Sequence, residues 1–443
     1  MPAAEPSLAD RTSTFDVAWL SARRWYRSKS RRLAAVHVQE AVQLDAGRCW
    51  LVILAAQPED GVTDPYLVPA VAAGGGLREP HDGDGAWRAL VRAMERGTQV
   101  AGRSGRFEFT RTSHLAELLA RDSMGGTADL EERRLEVEQS NTSVRLGDHL
   151  MLKVYRLLEP GINPEVEVTA FLTETGFGWS PALAGSATWR PDGGEPASAA
   201  MLQELLPSQG DAWAWIRARL DDRPDGAPQA IAAVAQIGGI TAELHAALTS
   251  RPATPAFPAR PSTADEAAAW ETAAERQLDA ALELAGGAER RRLERVASGL
   301  RRRLAAIGRA AGTPVSRIHG DYHLGQLLRT KTGFAVVDFE GEPLRPLAER
   351  RLPASPLRDV AGMLRSLDYA ARSAERELAG GFDADAWLAD ARRAFVAAYG
   401  GQLDGDLLSA FEVHKACYEY VYEANNRPDW TWLPLGALER LAA

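Results

Sequence analysis

Two short stretches carry residues whose types and spacing could do chemistry. The first is Ile318-His319-Gly320-Asp321-Tyr322-His323-Leu324-Gly325-Gln326-Leu327-Leu328, and the second is Val336-Val337-Asp338-Phe339-Glu340. A hairpin-like stretch, Arg329-Thr330-Lys331-Thr332-Gly333, separates them. One acid follows a His-Gly turn, an amide stands five positions later, and a second acid closes an apolar strand. Phosphoryl transfer from Mg-ATP to a hydroxyl needs this set. One carboxylate accepts the hydroxyl proton, while an amide and a second carboxylate hold the metal that neutralises the phosphates. Asp321 is the expected base, and Gln326 and Asp338 are the expected metal ligands. Glu340 is a possible helper, because alternate residues of an extended segment face the same way. His319 and His323 read first as hydrogen-bonded scaffold, with His323 also carried as a substrate residue. Each stretch alone is a common turn or strand end; their order and spacing together are specific.

A nucleotide also needs a cation for its phosphates. The stretch Ser143 to Leu146, Gly147-Asp148, His149 to Tyr155 has the form of a β-hairpin, with Lys153 in its second strand. A helix should start near Asn163-Pro164, since Asn can cap and Pro suits the first turn. Glu167 on that helix is the expected partner that holds Lys153 extended toward the phosphates. Upstream, Gln139-Ser140-Asn141-Thr142-Ser143 stands where a phosphate-covering loop should lie, without a glycine-rich run. Ser140, Asn141, Thr142 and Ser143 are therefore expected to donate to phosphate oxygens from a tight turn, a plain turn being the alternative. The strand Ala199 to Leu205, followed by Pro207, reads as a hinge whose backbone at Gln203, Glu204 and Leu205 grips the adenine.

These residues need a large scaffold, and 443 residues supply one of two or three domains. Residues 1–95 show several β segments (34–38, 50–55, 66–69) separated by turns such as Asp45-Ala46-Gly47, and read as a cap domain. Residues 96–206 read as a small mixed lobe for the ATP phosphates. Residues 207–443 read as a large, mainly helical lobe with the catalytic and sugar site. It includes an alanine-rich helix over 230–247 and two charged helices between 264 and 311, whose Arg and Glu runs are solvated faces. A net charge of −9 argues against a nucleic-acid binder. A basic run near the start, Arg23 to Arg32, is most simply a solvated face. The longest uninterrupted apolar run, Cys49 to Ala56, falls short of the roughly 20 residues that span a bilayer. The N-terminus lacks the form of a signal peptide. Cys49 and Cys417 show no metal spacing and read as buried, reduced thiols. The expectation is a cytoplasmic protein with no membrane or nucleic-acid partner, a monomer or weak homodimer.

The HxD…N…DxD spacing resembles the kinase-like fold in its antibiotic and small-molecule kinase branch, with Gln326 where that fold usually has Asn. Longer stretches look like the actinobacterial maltokinase-like family: 138–143, Leu152-Lys153, 160–168, 319–326, 338–343, 350–363 and Arg427-Pro428-Asp429-Trp430. Trp25-Tyr26 with Lys29 resembles that family's N-terminal cap. The resemblance implies an α+β, bilobal, protein-kinase-like (aminoglycoside phosphotransferase-like) fold with an N-terminal cap domain. It also implies ATP and Mg2+ as cofactors and a small-molecule sugar or amino-sugar substrate. The family includes maltokinases, which make maltose 1-phosphate, and a branch of glucosamine kinases, which make glucosamine 6-phosphate.

Family members bind sugar against the C-terminal helix, here 411–427. On it Lys415, Glu419 and Glu423 recur every four residues, joined by Tyr422. They are the expected pocket wall, with Tyr418, Trp430 and Trp432 as aromatic flanks; a surface charge ladder is the alternative. Two carboxylates would favour an ammonium-bearing substrate. The Tyr418-Glu419-Tyr420 run and Asn425-Asn426 resemble the glucosamine branch. The rivals are a maltokinase, an aminoglycoside phosphotransferase and an inactive kinase-like sugar sensor.

Overall fold

The computed structural model describes residues 12, 14–27, 31–44, 48–122, 127, 129–135, 140–222, 226–343, 345–378 and 381–442. Lys29, the Asp45-Ala46-Gly47 turn and Glu138-Gln139 lie outside them. The chain divides into two compact units, one of Met1–Thr173 with Pro181–Leu206, the other of Glu174–Ser180 with Pro207–Ala443. The regions read separately as cap and small lobe thus fall in one unit.

The first unit opens with α1 (Val17–Ser21) and four strands, β1 (Leu33–Gln43), β2 (Cys49–Pro58), β3 (Asp64–Ala73) and β4 (Gly76–Arg78), paired in that order as an antiparallel sheet. Next come α2 (Ala86–Arg96), β5 (Gln99–Ala101), β6 (Gly105–Arg111), α3 (His114–Asp122), β7 (Glu132–Arg134), β8 (Asn141–Leu146) and β9 (Leu150–Tyr155). The unit is completed by α4 (Pro164–Thr175), β10 (Leu183–Pro191) and β11 (Ala197–Glu204). A seven-stranded antiparallel sheet runs β5-β6-β10-β11-β9-β8-β7. Both sheets feed one core: Ile53 and Leu67 of the first sheet, Trp87 of α2 and Val154 of β9 bury in the same cluster. Both sheets exclude water from shared apolar faces, which explains why they form one unit.

The second unit holds α5 (Ala212–Asp221), α6 (Gly226–Thr249), β12 (Arg260–Pro261), α7 (Ala264–Leu284), α8 (Gly287–Leu304) and β13 (Pro314–Val315). It continues with β14 (Leu327–Arg329), β15 (Phe334–Val336), α9 (Leu347–Arg350), α10 (Leu357–Glu377), α11 (Ala384–Tyr399), α12 (Gly405–Asn426) and α13 (Trp432–Ala442). α7 starts at a capping box of Thr263 and Glu266, and α12 at Asp404, whose carboxylate accepts from the Asp406 and Leu407 N–H groups. α6 is long and apolar enough to cross a membrane by length and composition, with half of that window buried. It packs on α11, where Gly238 lies against the Phe395 backbone, and it buries Val234, Ile237 and Leu244. α10 packs on α12, and α12 on α7, so α10 and α12 stand side by side over the catalytic turn. Cys49 and Cys417 are buried free thiols.

Candidate active site

In the first unit, β8 and β9 form the expected hairpin, which places Lys153 in a strand with its side chain buried. Its ammonium stands 2.9 Å from Glu165, and the Tyr155 hydroxyl donates to the same carboxylate oxygen at 2.8 Å. The expectation that gave the pairing to Glu167 is corrected. α4 begins at Pro164, with the Asn163 side chain accepting from the Glu165 N–H. A helix turns about 100° per residue, so acids two positions apart point to nearly opposite sides. Glu165 is the buried one of the two, at 4% exposure.

The expected phosphate loop also needs correction. Asn141, Thr142 and Ser143 belong to strand β8, in register with Tyr155, Val154 and Lys153. Thr142 is buried, and its hydroxyl accepts from Arg156 Nε at 2.8 Å. Arg156 is itself fully buried, paired with Glu79 and held over the Trp25 ring. A run of small polar residues can join a strand as easily as a turn, and here the ladder with β9 decides it. Ser140 alone of the four precedes the strand. At the hinge, the Leu205 N–H is committed to the His149 carbonyl at 2.8 Å, so it is not a donor for adenine. The Glu204 carboxylate meets Arg121 at 3.1 Å, and Gln203 lies in β11 opposite Met151.

In the second unit, one buried carboxylate organises the catalytic turn. Asp359, in the first turn of α10, accepts from the N–H groups of His319 (2.8 Å) and Gly320 (2.9 Å) and from His245 Nε2 (3.1 Å). Burial alone would raise its carboxyl, but His245, His319 and the Gly320 N–H hold it below the ordinary value. Gly320 has φ +87°, a backbone conformation that glycine adopts freely. At Gly362, an added Cβ would lie 2.6 Å from the Tyr322 carbonyl, so only a glycine lets α10 approach the turn this closely. His319 is scaffold: Nε2 donates to the Val337 carbonyl at 3.0 Å, and Nδ1 accepts from the Asp321 N–H at 3.3 Å. His323 caps the one-turn helix Leu324–Gln326 by accepting from the Gly325 N–H. Burial holds its imidazole below the ordinary value.

Gln326 Nε2 lies 3.1 Å from Asp338, so the two expected metal ligands meet across the β14–β15 hairpin. Asp338 has φ +65°, the only non-glycine residue in the left-handed region among the described residues. Strain at this position is what a site that must aim a carboxylate tolerates. Strand alternation does not align Glu340 with Asp338, because the strand ends at Val336 and the backbone turns. That turn still brings the two carboxylates within 4.8 Å.

A cavity of 590 Å³ opens beside Asp321. Its wall includes His323, Lys415, Tyr418, Glu419, Tyr422, Glu423 and Trp430, as expected, together with Asp211, Trp213, Tyr369 and Arg427, which the sequence reading passed over. Trp432 is corrected: it lines a separate cavity, under the Arg376 guanidinium. The acids on α12 are not a surface ladder. Glu419 accepts two bonds from Arg365 (3.0 and 2.7 Å), and Glu423 accepts two from Arg427 (2.9 and 2.6 Å). Burial nevertheless pushes both carboxyls above the ordinary value, against the pull of those arginines. Lys415 reaches the other way, to Asp321 at 3.1 Å and to Glu342 at 3.0 Å. Burial would raise the Glu342 carboxyl, but Lys415, Arg358 and Arg345 hold it well below the ordinary range. Glu165, Asp359, Glu342 and Arg365 are likewise unmarked by the sequence. Buried charges are paired when they occur, but nothing local marks which ones are buried.

The mixed sheet-and-helix architecture and this acid–amide–acid site define a kinase-like phosphotransferase. The chain belongs to the phosphotransferase enzyme family, whose profile matches residues 131–398, and the maltokinase N-terminal cap domain matches residues 19–101. It is 33% identical over 392 residues to a glucosamine kinase of Streptacidiphilus jiangxiensis, covering 83% of this chain and 84% of that one. It is 31% identical over 421 residues to a glucosamine kinase of Mycolicibacterium smegmatis, covering 91% and 98%. A solved glucosamine kinase in complex with glucosamine, ADP and inorganic phosphate matches with a TM-score of 0.77 at 28% identity, covering 99% of this chain and all of that one. The chain is an ATP-dependent phosphotransferase with an alcohol acceptor.

Proposed function

We propose that this enzyme phosphorylates glucosamine, giving glucosamine 6-phosphate and ADP. The observation that carries the reading is the cavity itself, lined by Asp321 of the catalytic turn and by Glu419 and Glu423 of α12. An acceptor with a hydroxyl at one end and an ammonium at the other matches that distribution of charge. Two relatives that are glucosamine kinases, alignable over most of the chain, support the same choice.

In the proposed reaction the sugar oxygen attacks the γ-phosphorus of ATP. An O–P bond forms, the bond to the ADP oxygen breaks, and the hydroxyl proton passes to Asp321. Positioning does most of the work, since a loose phosphoryl transition state needs little covalent help. His319 and Asp359 aim Asp321. Lys153, held by Glu165, steadies the phosphates, with Ser140 as a further nucleotide contact; the Glu204 N–H, like that of Leu205, is already taken, by the Ala182 carbonyl. Asp338, Gln326 and Glu340 offer oxygen donors of the kind a hard divalent cation takes, once the Gln326 amide is turned to present its oxygen. A magnesium ion held there would neutralise phosphate charge. Glu419, Tyr422, Glu423 and Trp430, with His323, form the sugar contacts. The protein is proposed to act in the cytoplasm as a monomer or weak homodimer.

The test is ADP release with Mg-ATP across glucosamine, glucose, maltose and an aminoglycoside. Turnover confined to glucosamine is the expected outcome. Preferential turnover of maltose would assign the chain to the maltokinases instead.

A further inference from the structure

We propose that Lys415 is a catalytic residue that carries the positive charge for the phosphoryl group in flight, rather than a contact to the sugar. The inference rests on the sugar-kinase reading. Phosphoryl transfer spreads negative charge over the equatorial oxygens, and, beside Lys153 and a metal, a cation next to the base can meet it from the acceptor side. The catalytic turn brings none: residues 318–328 contain neither lysine nor arginine. Its two histidines are otherwise engaged, His319 between the Val337 carbonyl and the Asp321 N–H, His323 as a cap. Among the described residues that line the cavity, the cations are Lys415 and Arg427. Arg427 is held by Glu423, whereas Lys415 lies 3.1 Å from Asp321 Oδ1.

That distance places the ammonium where the transferred group must pass. The attacking hydroxyl sits within about 3 Å of the base, and the phosphoryl oxygens arrive bonded to the phosphorus it attacks. The ammonium has three donors, of which Asp321 and Glu342 take two. Glu342 does not depend on Lys415 for its own charge balance, because Arg345 meets it at 2.7 Å and Arg358 at 3.9 Å. It is therefore an anchor that aims Lys415. The chemistry makes the pair self-adjusting. As the hydroxyl proton moves to Asp321, that carboxylate loses its charge and its hold on Lys415, while charge builds on the phosphoryl group beside it. Lys415 stays protonated throughout, so no further reactant is needed.

The experiment compares wild type, Lys415→Met and Lys415→Arg on the sugar that the wild type phosphorylates, with binding of ADP alone and of ADP with aluminium fluoride and that sugar. Lys415→Met should lower kcat by about 10²–10³-fold, the cost of removing one charge-stabilising donor. KM for the sugar and affinity for ADP should stay within about threefold, and affinity for the aluminium fluoride complex should fall with kcat. Lys415→Arg should recover part of the loss. A kcat within about threefold of wild type, or a rise in sugar KM alone, would overturn the proposal. If Lys415→Met does not fold, Glu342→Gln takes its place. A kcat loss of about tenfold at unchanged sugar KM is expected there, and unchanged kcat refutes the proposal. A wild type that turns over no sugar would sink the kinase reading itself, a result distinct from any of these.

Discussion

Each unit of this enzyme holds a lysine against carboxylates, and the two arrangements are built differently. Lys153 and Glu165 are twelve residues apart, on a strand and the helix that follows it. Lys415 lies 94 residues from Asp321 and 73 from Glu342, and reaches them from another element. The first pair is local, stiffened by a hairpin register and a helix cap. The second exists only because α10 and α12 pack beside the catalytic turn. A local pair tolerates changes elsewhere in the fold, whereas the long-range cluster reports on the packing of the whole helical unit.

The largest effect should come from the long-range cluster. Asp321→Asn leaves Lys415 its Glu342 partner but removes the proton acceptor, so kcat should fall by about 10²–10⁴-fold. Calorimetric ADP affinity should hold. Near-normal turnover would remove Asp321 from the role of base. The local pair should break less severely. Glu165→Gln leaves a buried ammonium without its carboxylate and should cost about 1–3 kcal/mol of unfolding stability, with a fall in kcat/KM for ATP. Glu167→Gln should cost less than Glu165→Gln, since Glu167 is the less buried of the two. An equal effect of the two would return the pairing to Glu167.

Thr142→Val sharpens the comparison further. If the Thr142 hydroxyl serves Arg156, its loss should cost about 1 kcal/mol by denaturation with KM for ATP unchanged. A raised KM for ATP would instead restore that hydroxyl to the phosphates. The smallest effect is in pH. Glu419 and Glu423 have carboxyls raised in the folded protein, so on acidification they take up protons at a pH above the ordinary carboxyl value of about 4.3. KM for glucosamine should therefore climb in mildly acid buffer. Glu342, shifted the opposite way, stays charged across that range and keeps Lys415 in place. A flat KM across this range would detach the two acids from amino-sugar binding.

Much of this was legible in the residues because it is local. The hairpin around Gly147, the helix after Asn163-Pro164 and the strands of the first sheet follow from turn chemistry, capping and alternation. Gln326 and Asp338 meet across a hairpin short enough to see in one line of sequence, with Asp321 five residues before Gln326. The errors on the nucleotide side are of one kind: the residues are legible, their packing partners are not. A tract of small polar residues such as Asn141-Thr142-Ser143 is ambiguous between strand and turn until a partner strand is known. Which of Glu165 and Glu167 faces Lys153 depends on how the helix packs against the strand, although its start at Asn163-Pro164 was legible.

By itself, then, the chain's order of residues determined the acid–amide–acid set, the lysine strand and the polar stripe of α12, all readable from spacings shorter than about two turns of helix or one hairpin. The tertiary structure alone decided what those groups face. It gave Asp359 the backbone of the catalytic turn, Arg365 to Glu419, Arg427 to Glu423, and Lys415 to both Asp321 and Glu342. The reason is physical: a buried charge is stable only with a partner, and the partner is chosen by which elements pack together.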